Sequence, residues 1–257
     1  MGGFMNNAEK LRSYKIQHEG KVFSTNNCGN VIVLEYLNKR NIFVQFLDTG
    51  YKTCVELKEL LNGNIKDYLI PSVCGVGITG EKGSKKDREY MLWVGLLERC
   101  YSEKRHKNRP TYKSCTTSEN FNYYPYFKSW CNKQIGFGNE GWELDKDVLV
   151  KGNKVYSEDT CCFVPAEINV MFTKTDALRG KHPIGVQYYK PSDCFRAYVG
   201  CYSKRIYLGQ FNTELEAFRA YKQAKEAYIK GVANKWKDQI DPKVYNALMK
   251  YEVEITD

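Results

Sequence analysis

The stretch from Trp142 to Asn169, WELDKDVLVKGNKVYSEDTCCFVPAEIN, combines residue types and spacings that suit metal-assisted chemistry. WELDKDVLV alternates as a strand, KGNK forms a glycine-containing turn, VYSEDTCCFVP returns as a second strand, and AEINVMF begins a helix. This layout lets one residue of the first strand and another of the helix converge on a divalent ion, which can polarise a phosphodiester. The pattern predicts a ββα unit with a phosphate-directed site.

The same stretch resembles the HNH endonuclease family, in the form that phage and homing enzymes fuse to a DNA-binding domain. SEDTC lies where that family has a Pro-x-Asn-Leu-like phrase, with Cys161 at the Leu position and Asn169 eight residues further on. The resemblance implies that Asp145 and Asn169 bind a divalent metal, Mg²⁺, and that Lys146 stands at the position of the catalytic histidine. It implies a metal-dependent DNA endonuclease with Asp145, Lys146 and Asn169 as its catalytic residues.

Lysine at the histidine position changes the expected chemistry. A general base accepts a proton near neutral pH, which imidazole does with a pKa of about 6.5, whereas a lysine has an ordinary pKa of about 10.4. The asparagine that buttresses the family fold is also replaced, by Thr160 or Tyr156. Three alternatives stay open: an active nuclease with altered chemistry, a nuclease-derived fold that only binds DNA, and an unrelated hairpin in which LDKD is ordinary strand charge.

A second group of chemically capable residues lies near the C-terminus. Three strand-like runs, Ile184–Tyr189, Phe195–Cys201 and Arg205–Phe211, precede a helix that begins at a capping box of Thr213 and Glu216. Period-two alternation predicts one face toward the helix: Val186, Ala197, Val199, Ile206 and Leu208. The opposite, basic and aromatic face is predicted to contact DNA through Gln187, Tyr189, Arg196, Tyr198, Arg205 and Tyr207.

Residues 180–232 resemble the DNA-binding domain of plant APETALA2 and ethylene-response factors, which phage and homing-endonuclease proteins also carry. The resemblance lies in IGVQYY, FRAYV and the core LGxFxTxxEAxxAY. It implies double-stranded DNA as the partner, a phage or mobile-element origin, and groove-reading positions at Gln187, Tyr189, Tyr198, Gly200, Arg205 and Tyr207. Several of these positions hold Gln or Tyr where the plant proteins carry Arg or Glu, so the target sequence cannot be carried over.

The placement of charge agrees with a polyanion-binding sheet. The chain has a net charge of +9, and residues 179–211 hold six basic residues against Asp193 alone, a net charge of +5. Residues 212–257 hold eight basic and eight acidic residues and are neutral. A positive excess concentrated on predicted strands is the electrostatic footprint of nucleic-acid binding.

The N-terminal part of the chain predicts an accessory module. Residues 19–70 contain short β-branched and aromatic runs, such as VIVLEYL and NIFVQFLD, separated by turns. Four or five such strands bury one face by curling into a small barrel, and the stretch resembles a Src-homology-3-like or Tudor-like barrel. The resemblance implies a protein partner or an accessory role in nucleic-acid binding. Gly75, Gly77 and Gly80 imitate a dinucleotide-binding loop, but no βαβ unit surrounds them.

Taken together, the sequence predicts an α+β protein with this division: a small β-barrel at residues 1–72, a linker at 73–89, an HNH-like region at 90–177, and an APETALA2-like domain with a helical tail at 178–257. The chain lacks the apolar runs of a membrane span or a secretory signal, so we expect no membrane partner and a cytoplasmic location, in a bacterial host if the origin is phage. Its ten cysteines show no zinc-type spacing; a zinc site using Cys100, Cys115 and Cys131 has no support in the sequence.

Overall fold

The computed structural model describes residues 6–81, 87–172, 181–201 and 204–257. The prediction of an α+β protein is confirmed: helices alternate with one four-stranded, one three-stranded and two two-stranded sheets in these ranges. The chain divides into two compact units, residues 1–113 with 122–128 and residues 114–121 with 129–257, which we call unit 1 and unit 2. None of the helices in the described ranges has the length and apolar character to cross a membrane.

Unit 1 begins with a four-stranded antiparallel sheet flanked by two helices. Helix α1 (Asn7–His18) precedes β1 (Val22–Ser24), β2 (Asn30–Asn38), β3 (Asn41–Phe46) and β4 (Lys52–Val55), which pair in chain order, and α2 (Leu57–Leu61) follows. Alternation along β2 and β3 buries one face of the sheet. Its core consists of Val31, Val33, Tyr36, Ile42, Val44, Phe46, Val55, Leu60 and Ile65.

The predicted closure of this sheet into a barrel is wrong for the described residues. Strands β1 and β4 are the two edges of an open sheet. The helices explain why closure is not needed, because Tyr14 of α1 stacks on Tyr36 at 5.7 Å and Leu60 of α2 is fully buried in the core. Side chains from outside the sheet thus cover its apolar face.

The remainder of unit 1 contains two helices joined to the sheet by irregular chain. Helix α3 spans Arg88–Tyr101 and α4 spans Glu103–Asn108. In the predicted linker 73–89, Gly77 packs so closely on α3 that an added Cβ would lie 2.4 Å from Leu97 and 3.0 Å from Trp93. Residues 82–86 of that linker lie outside the described residues.

Unit 2 contains the predicted ββα unit, with shorter strands than the sequence suggested. Strand β6 (Trp142–Asp145) pairs antiparallel with β8 (Cys162–Pro165), and α6 (Ala166–Met171) follows at once. The predicted return strand from Val155 is interrupted, because β7 (Val155–Tyr156) instead pairs in parallel with β5 (Thr116–Thr117). Helix α5 (Tyr124–Cys131) has residues in both units, since residues 122–128 are assigned to unit 1.

The C-terminal part of unit 2 follows the prediction closely. Strands β9 (Val186–Tyr189), β10 (Cys194–Cys201) and β11 (Lys204–Phe211) form an antiparallel sheet in the order β11–β10–β9, and α7 (Glu214–Trp236) packs on one face. Thr213 and Glu216 form the expected capping box. Helix α8 (Pro242–Met249) completes the unit.

One glycine fixes how closely α7 approaches this sheet. Gly185, just before β9, has φ of +78°, and an added Cβ would lie 2.1 Å from the ring of Tyr221. Only glycine meets both conditions, since L-residues rarely adopt this φ and no side chain fits under the ring.

Candidate nucleic-acid interface

The carboxylate of Asp145 forms the turn that ends β6. Its Oδ1 accepts the backbone N–H groups of Asp147 and Val148, each at 2.7 Å, and the side chain is buried. Burial raises the pKa of the Asp145 carboxyl above its ordinary value of 3.8, although the two backbone N–H donors act in the opposite direction. Asp145 therefore stabilises the turn that follows β6, and this turn ends the strand earlier than the sequence predicted.

Lys146 is also buried, and its ammonium is fully hydrogen-bonded within the same loop. Nζ donates to both carboxylate oxygens of Asp147 and to the main-chain oxygen of Asn153, each at 2.8 Å. A lysine ammonium has three donors and no acceptor, and here all three donors have partners within the loop. The arrangement suits a cation that holds the loop between β6 and β7.

Asn153 is a structural residue that the sequence reasoning missed. Its Nδ2 donates to the main-chain oxygens of Lys146 and Val155, at 2.9 and 2.6 Å, and its Oδ1 accepts the Val155 N–H at 3.0 Å. It braces the two ends of the loop, a role that the family resemblance would assign to the positions of Thr160 or Tyr156. The sequence offered one signal for this turn, the neighbouring Gly152 and Asn153, because glycine and asparagine are both common in turns.

Asn169 forms its side-chain hydrogen bond with another acid of the same strand, not with Asp145. Its Nδ2 donates to Glu143 Oε2, and Glu143 lies two residues before Asp145, on the same face of β6. The amide therefore presents its donor side to a carboxylate. The described ranges contain no group of three or more His, Cys, Asp or Glu side chains placed to hold a metal ion.

These bonds do not fit the predicted pairing of Asp145 and Asn169 around a metal ion. One oxygen of Asp145 is taken by backbone donors, the Lys146 ammonium follows directly in the chain, and Asn169 is engaged by Glu143. A divalent ion at Asp145 would also repel the buried ammonium. We therefore derive no catalytic step from these residues.

The adjacent cysteines in this region pack as core residues. Cys161 and Cys162 are both buried, and burial raises the pKa of the Cys161 thiol to about 12 and that of Cys162 further. Both thiols are thus protonated at neutral pH and behave as small apolar groups. None of the ten cysteines, all of which lie in the described ranges, forms a disulfide bond.

The three histidines are likewise engaged elsewhere. The rings of His18 and His106 each bond to a main-chain oxygen within unit 1, at 2.9 Å. In unit 2, His182 Nδ1 lies 2.5 Å from a carboxylate oxygen of Glu214. None of these contacts involves the hairpin β6–β8.

The outer face of the β9–β11 sheet, away from α7, carries the predicted DNA-contacting residues. Direct cross-strand pairing brings Tyr198 opposite Tyr207, Gly200 opposite Arg205, and Gln187 opposite Arg196. Directly paired residues share a face, so these six positions lie together as predicted. Tyr189 reaches the same face diagonally, since its ring lies against Arg196.

Both arginines of this face are stacked on tyrosine rings. The Arg196 guanidinium carbon lies 3.2 Å from the ring centroid of Tyr189, and that of Arg205 lies 4.0 Å from the ring centroid of Tyr198. Tyr198 in turn contacts Tyr207 at 5.3 Å between centroids. Stacking holds each planar guanidinium in place by its face, so that its N–H groups point outward from the edge of the stack toward hydrogen-bond acceptors.

Gln210 belongs to this face, although the alternation of the sequence did not place it there. Ala197 pairs with Gly209, whereas the next residue, Tyr198, pairs with Tyr207. Leu208 is therefore an extra residue in β11, a β-bulge. The bulge turns Gln210 to the outer face, opposite Arg196. With its amide oxygen toward Arg196, Gln210 accepts from Nη2 at 2.8 Å and from Nε at 3.1 Å. A glycine within a strand, here Gly209 with φ of +132°, was the available signal for the bulge.

The inner face agrees with the prediction except at one edge position. Ala197 and Val199 are buried, and Val186 and Leu208 pack on the core formed with Phe218 and Tyr221 of α7. Ile206 is opposite Val199 but 46% exposed. It lies on the edge strand β11, where α7 does not cover it.

Comparison of the chain with known proteins finds no protein-family model, curated protein or solved structure that matches it.

Further contacts within unit 2 join the helix that supports this sheet to the helix of the hairpin. Glu167 of α6 accepts from Lys235 Nζ at 2.5 Å and from Trp236 Nε1 at 2.8 Å, at the end of α7. Burial raises the pKa of the Glu167 carboxyl, but these two donors outweigh it and leave the pKa below its ordinary value. The ring of Trp236 also meets Trp142 of β6 edge to face at 6.0 Å. These contacts connect α6 and β6 with the far end of α7.

Proposed function

We propose that this protein binds double-stranded DNA through the outer face of the β9–β11 sheet. The observation that carries the proposal is the pair of arginines, Arg196 and Arg205, held on tyrosine rings on a face that α7 leaves open. Three strands about 4.8 Å apart span roughly 10 Å between the outer strands, which suits a major groove about 12 Å wide.

Arg205 is the principal base-reading residue of this proposal. It is exposed, and no described acidic residue forms an ion pair with it. Its free N–H edge can donate to O6 and N7 of guanine, the commonest specific contact in the major groove. Arg196 differs, because Gln210 already occupies two of its N–H groups, so it positions Gln210 and reads bases less directly.

The charge of the segment supports contacts to phosphate around the base-reading residues. Lys181, Lys190 and Lys204 are exposed on the chain segments that lead into or form this sheet. Lysine at such positions contributes sequence-independent attraction whose strength falls with salt. We therefore expect the two arginines of the sheet face to lie in the groove and the lysines to contact only the sugar-phosphate backbone of the duplex.

For the ββα hairpin we propose a structural and DNA-binding role in place of cleavage. The Lys146 ammonium is fully hydrogen-bonded, and Asn169 bonds to Glu143, which favours the alternative of a nuclease-derived fold without activity. The HNH-type endonuclease and its Mg²⁺ site stay predictions of the sequence resemblance. Incubation with duplex DNA and Mg²⁺ or Mn²⁺ tests them: cleavage that is lost on Asp145→Ala and on Asn169→Ala would establish the enzyme and overturn the non-cleaving role.

For the N-terminal sheet we propose an accessory interaction role, as the resemblance to Src-homology-3-like or Tudor-like modules suggests. Its four antiparallel strands in chain order support the resemblance in connectivity alone. Deletion of this sheet is expected to leave the sequence preference for DNA unchanged, and a changed preference would contradict the role.

Fluorescence anisotropy with labelled duplexes tests the DNA-binding proposal. Arg205→Ala should weaken binding by about 1 to 3 kcal/mol if the side chain pairs with guanine, a loss of roughly 5- to 150-fold in Kd. Arg219→Ala is the matched control, because Arg219 is exposed on α7 and outside the sheet face. Equal affinities for Arg205→Ala and Arg219→Ala would remove the sheet face as the reading surface.

A further inference from the structure

A second concentration of positive charge lies in unit 1, at the corner between α3 and α4. Residues 98–113 contain six basic residues against Glu98 and Glu103, a net charge of +4. We call the six the α4 basic cluster: Arg99, Lys104, Arg105, Lys107, Arg109 and Lys113. All except Arg99 are exposed.

The local structure holds these cations together. Ser102 caps α4, with its Oγ accepting the N–H of Arg105 at 3.3 Å, and the ring of His106 bonds to the main-chain oxygen of Arg99 at 2.9 Å. The second bond ties α4 back to the end of α3. These bonds fix the backbone that carries Arg99, Lys104, Arg105 and Lys107, and Arg109 and Lys113 follow directly after α4.

No acidic residue of the described ranges forms an ion pair with any member of the cluster. Other exposed helices behave differently. Lys15 pairs with Glu19 at the end of α1, and Lys222 pairs with Glu226 on α7. Mixed signs of this kind are typical of a helix face that meets only water.

Some of this charge is explained by the helices themselves. Arg99 lies in the last turn of α3, and Arg105 and Lys107 lie in the last turn of α4, where cations stabilise the helix dipole. That effect falls off within one turn and does not account for Lys104 or for Lys113 beyond the helix. Cations within a Debye length of about 10 Å repel one another, so the surface favours a polyanion.

We propose that the α4 basic cluster is a second DNA-binding surface, which contacts the sugar-phosphate backbone of a duplex without reading its sequence. A helix of six residues is about 9 Å long, and a duplex carries one negative charge per about 1.7 Å with both strands counted, so that length of duplex carries roughly five phosphates. The cluster offers a similar number of cations. The inference rests on the proposed function for the identity of the polyanion but uses a different surface.

The salt dependence of binding to a duplex of random sequence tests this proposal with the full chain. Four exposed members are neutralised together: Lys104→Gln, Arg105→Gln, Lys107→Gln and Arg109→Gln. The slope of log K against log [NaCl] between about 50 and 200 mM should become shallower by about 0.9 for each phosphate that the variant no longer neutralises, a total of about 2 to 4. A variant with Arg105→Lys and Arg109→Lys keeps the charges and should keep the slope.

The matched control removes the same charge elsewhere on unit 1. Four of the exposed lysines outside the cluster are changed to glutamine: Lys10, Lys21, Lys52 and Lys58. A slope for the cluster variant equal to that of this control overturns the proposal. So does a cluster variant that loses binding to vesicles of anionic phospholipid while its DNA slope is unchanged.

The sheet variants separate this proposal from the proposed function. If Arg205→Ala loses base preference while the cluster variant behaves as the control does, the sheet function stands and the cluster is overturned. If the cluster variant loses slope while Arg205→Ala has no effect, the cluster stands and the sheet function fails.

Discussion

Replacement of Lys146 by methionine tests whether this residue is a structural anchor. Methionine fills the space of the buried lysine stem but removes the ammonium and its three hydrogen bonds. Asp147 and the Asn153 carbonyl would lose their donor, and the loop between β6 and β7 would lose the cation at its centre. We expect a less stable protein whose loop opens more easily.

The magnitude follows from the exposure of the partners. A hydrogen bond from a charged donor contributes about 1.5 to 3 kcal/mol, but the Asp147 side chain is 40% exposed and can be hydrated once Lys146 is gone. Most of the loss then comes from the bond to Asn153. We expect the free energy of unfolding to fall by about 2 kcal/mol, which lowers the urea midpoint by roughly 1 M.

Urea unfolding followed by tryptophan fluorescence, with hydrogen exchange of the amides of residues 146–153, measures both effects. Lys154→Met is the control, because Lys154 is exposed in the same loop and should cost no more than about 0.5 kcal/mol. If Lys146→Met and Lys154→Met have the same midpoint and the same exchange, the ammonium does not hold the loop and the structural account of Lys146 is refuted.

Other predictions concern the sheet module and the turn after β6. Gly185→Ala forces a Cβ against Tyr221 at a positive φ and should destabilise the protein by about 2 to 4 kcal/mol in thermal or urea unfolding, whereas Gly200→Ala, with open space around it, should cost about 1 kcal/mol or less. Equal costs would contradict the tight approach of α7. Because burial raises the pKa of Asp145, the folded state binds its proton more tightly, so its contribution to stability is full below pH 3.8 and is lost as pH rises through the folded pKa. The stability of the wild type relative to Asp145→Asn should therefore fall over that range, and a flat difference would refute the burial of this carboxyl.

The C-terminal module was largely predictable because its signals are local. The capping box of Thr213 and Glu216 and the period-two alternation around Ala197 and Val199 identify the helix, the strands and their two faces. The exposure of Ile206 was not predictable, since alternation gives the face of a residue but not how far α7 extends over the edge strand.

The remaining differences arise from long-range pairing and from one extra residue. Strand β7 pairs with β5, about 40 residues earlier in the chain, and no local pattern encodes such a partner. The bulge at Leu208 reverses the face of Gln210, so a strict period of two misses the partner of Arg196. The barrel prediction failed because α1 and α2 cover the sheet, a packing that the strand pattern alone does not contain.

The site of the predicted nuclease shows the limit of spacing as a guide. Asp145 and Asn169 have the spacing on which the resemblance to the HNH family rests. In the structure, however, Asp145 accepts hydrogen bonds from backbone N–H groups and Asn169 donates one to Glu143. Side-chain hydrogen bonds depend on neighbours that spacing does not specify. The sequence pattern therefore predicted the order of strand, strand and helix, while the family resemblance and the chemistry assigned to its residues stay predictions.

Selection from a pool of randomised duplexes tests the central claim most directly, that the β9–β11 face reads DNA sequence. The wild-type protein should enrich a defined motif that contains guanine, and Arg205→Ala should lose the preference at one position of that motif while the others remain. Failure of the wild type to enrich any motif, or an identical motif from Arg205→Ala, would contradict the account.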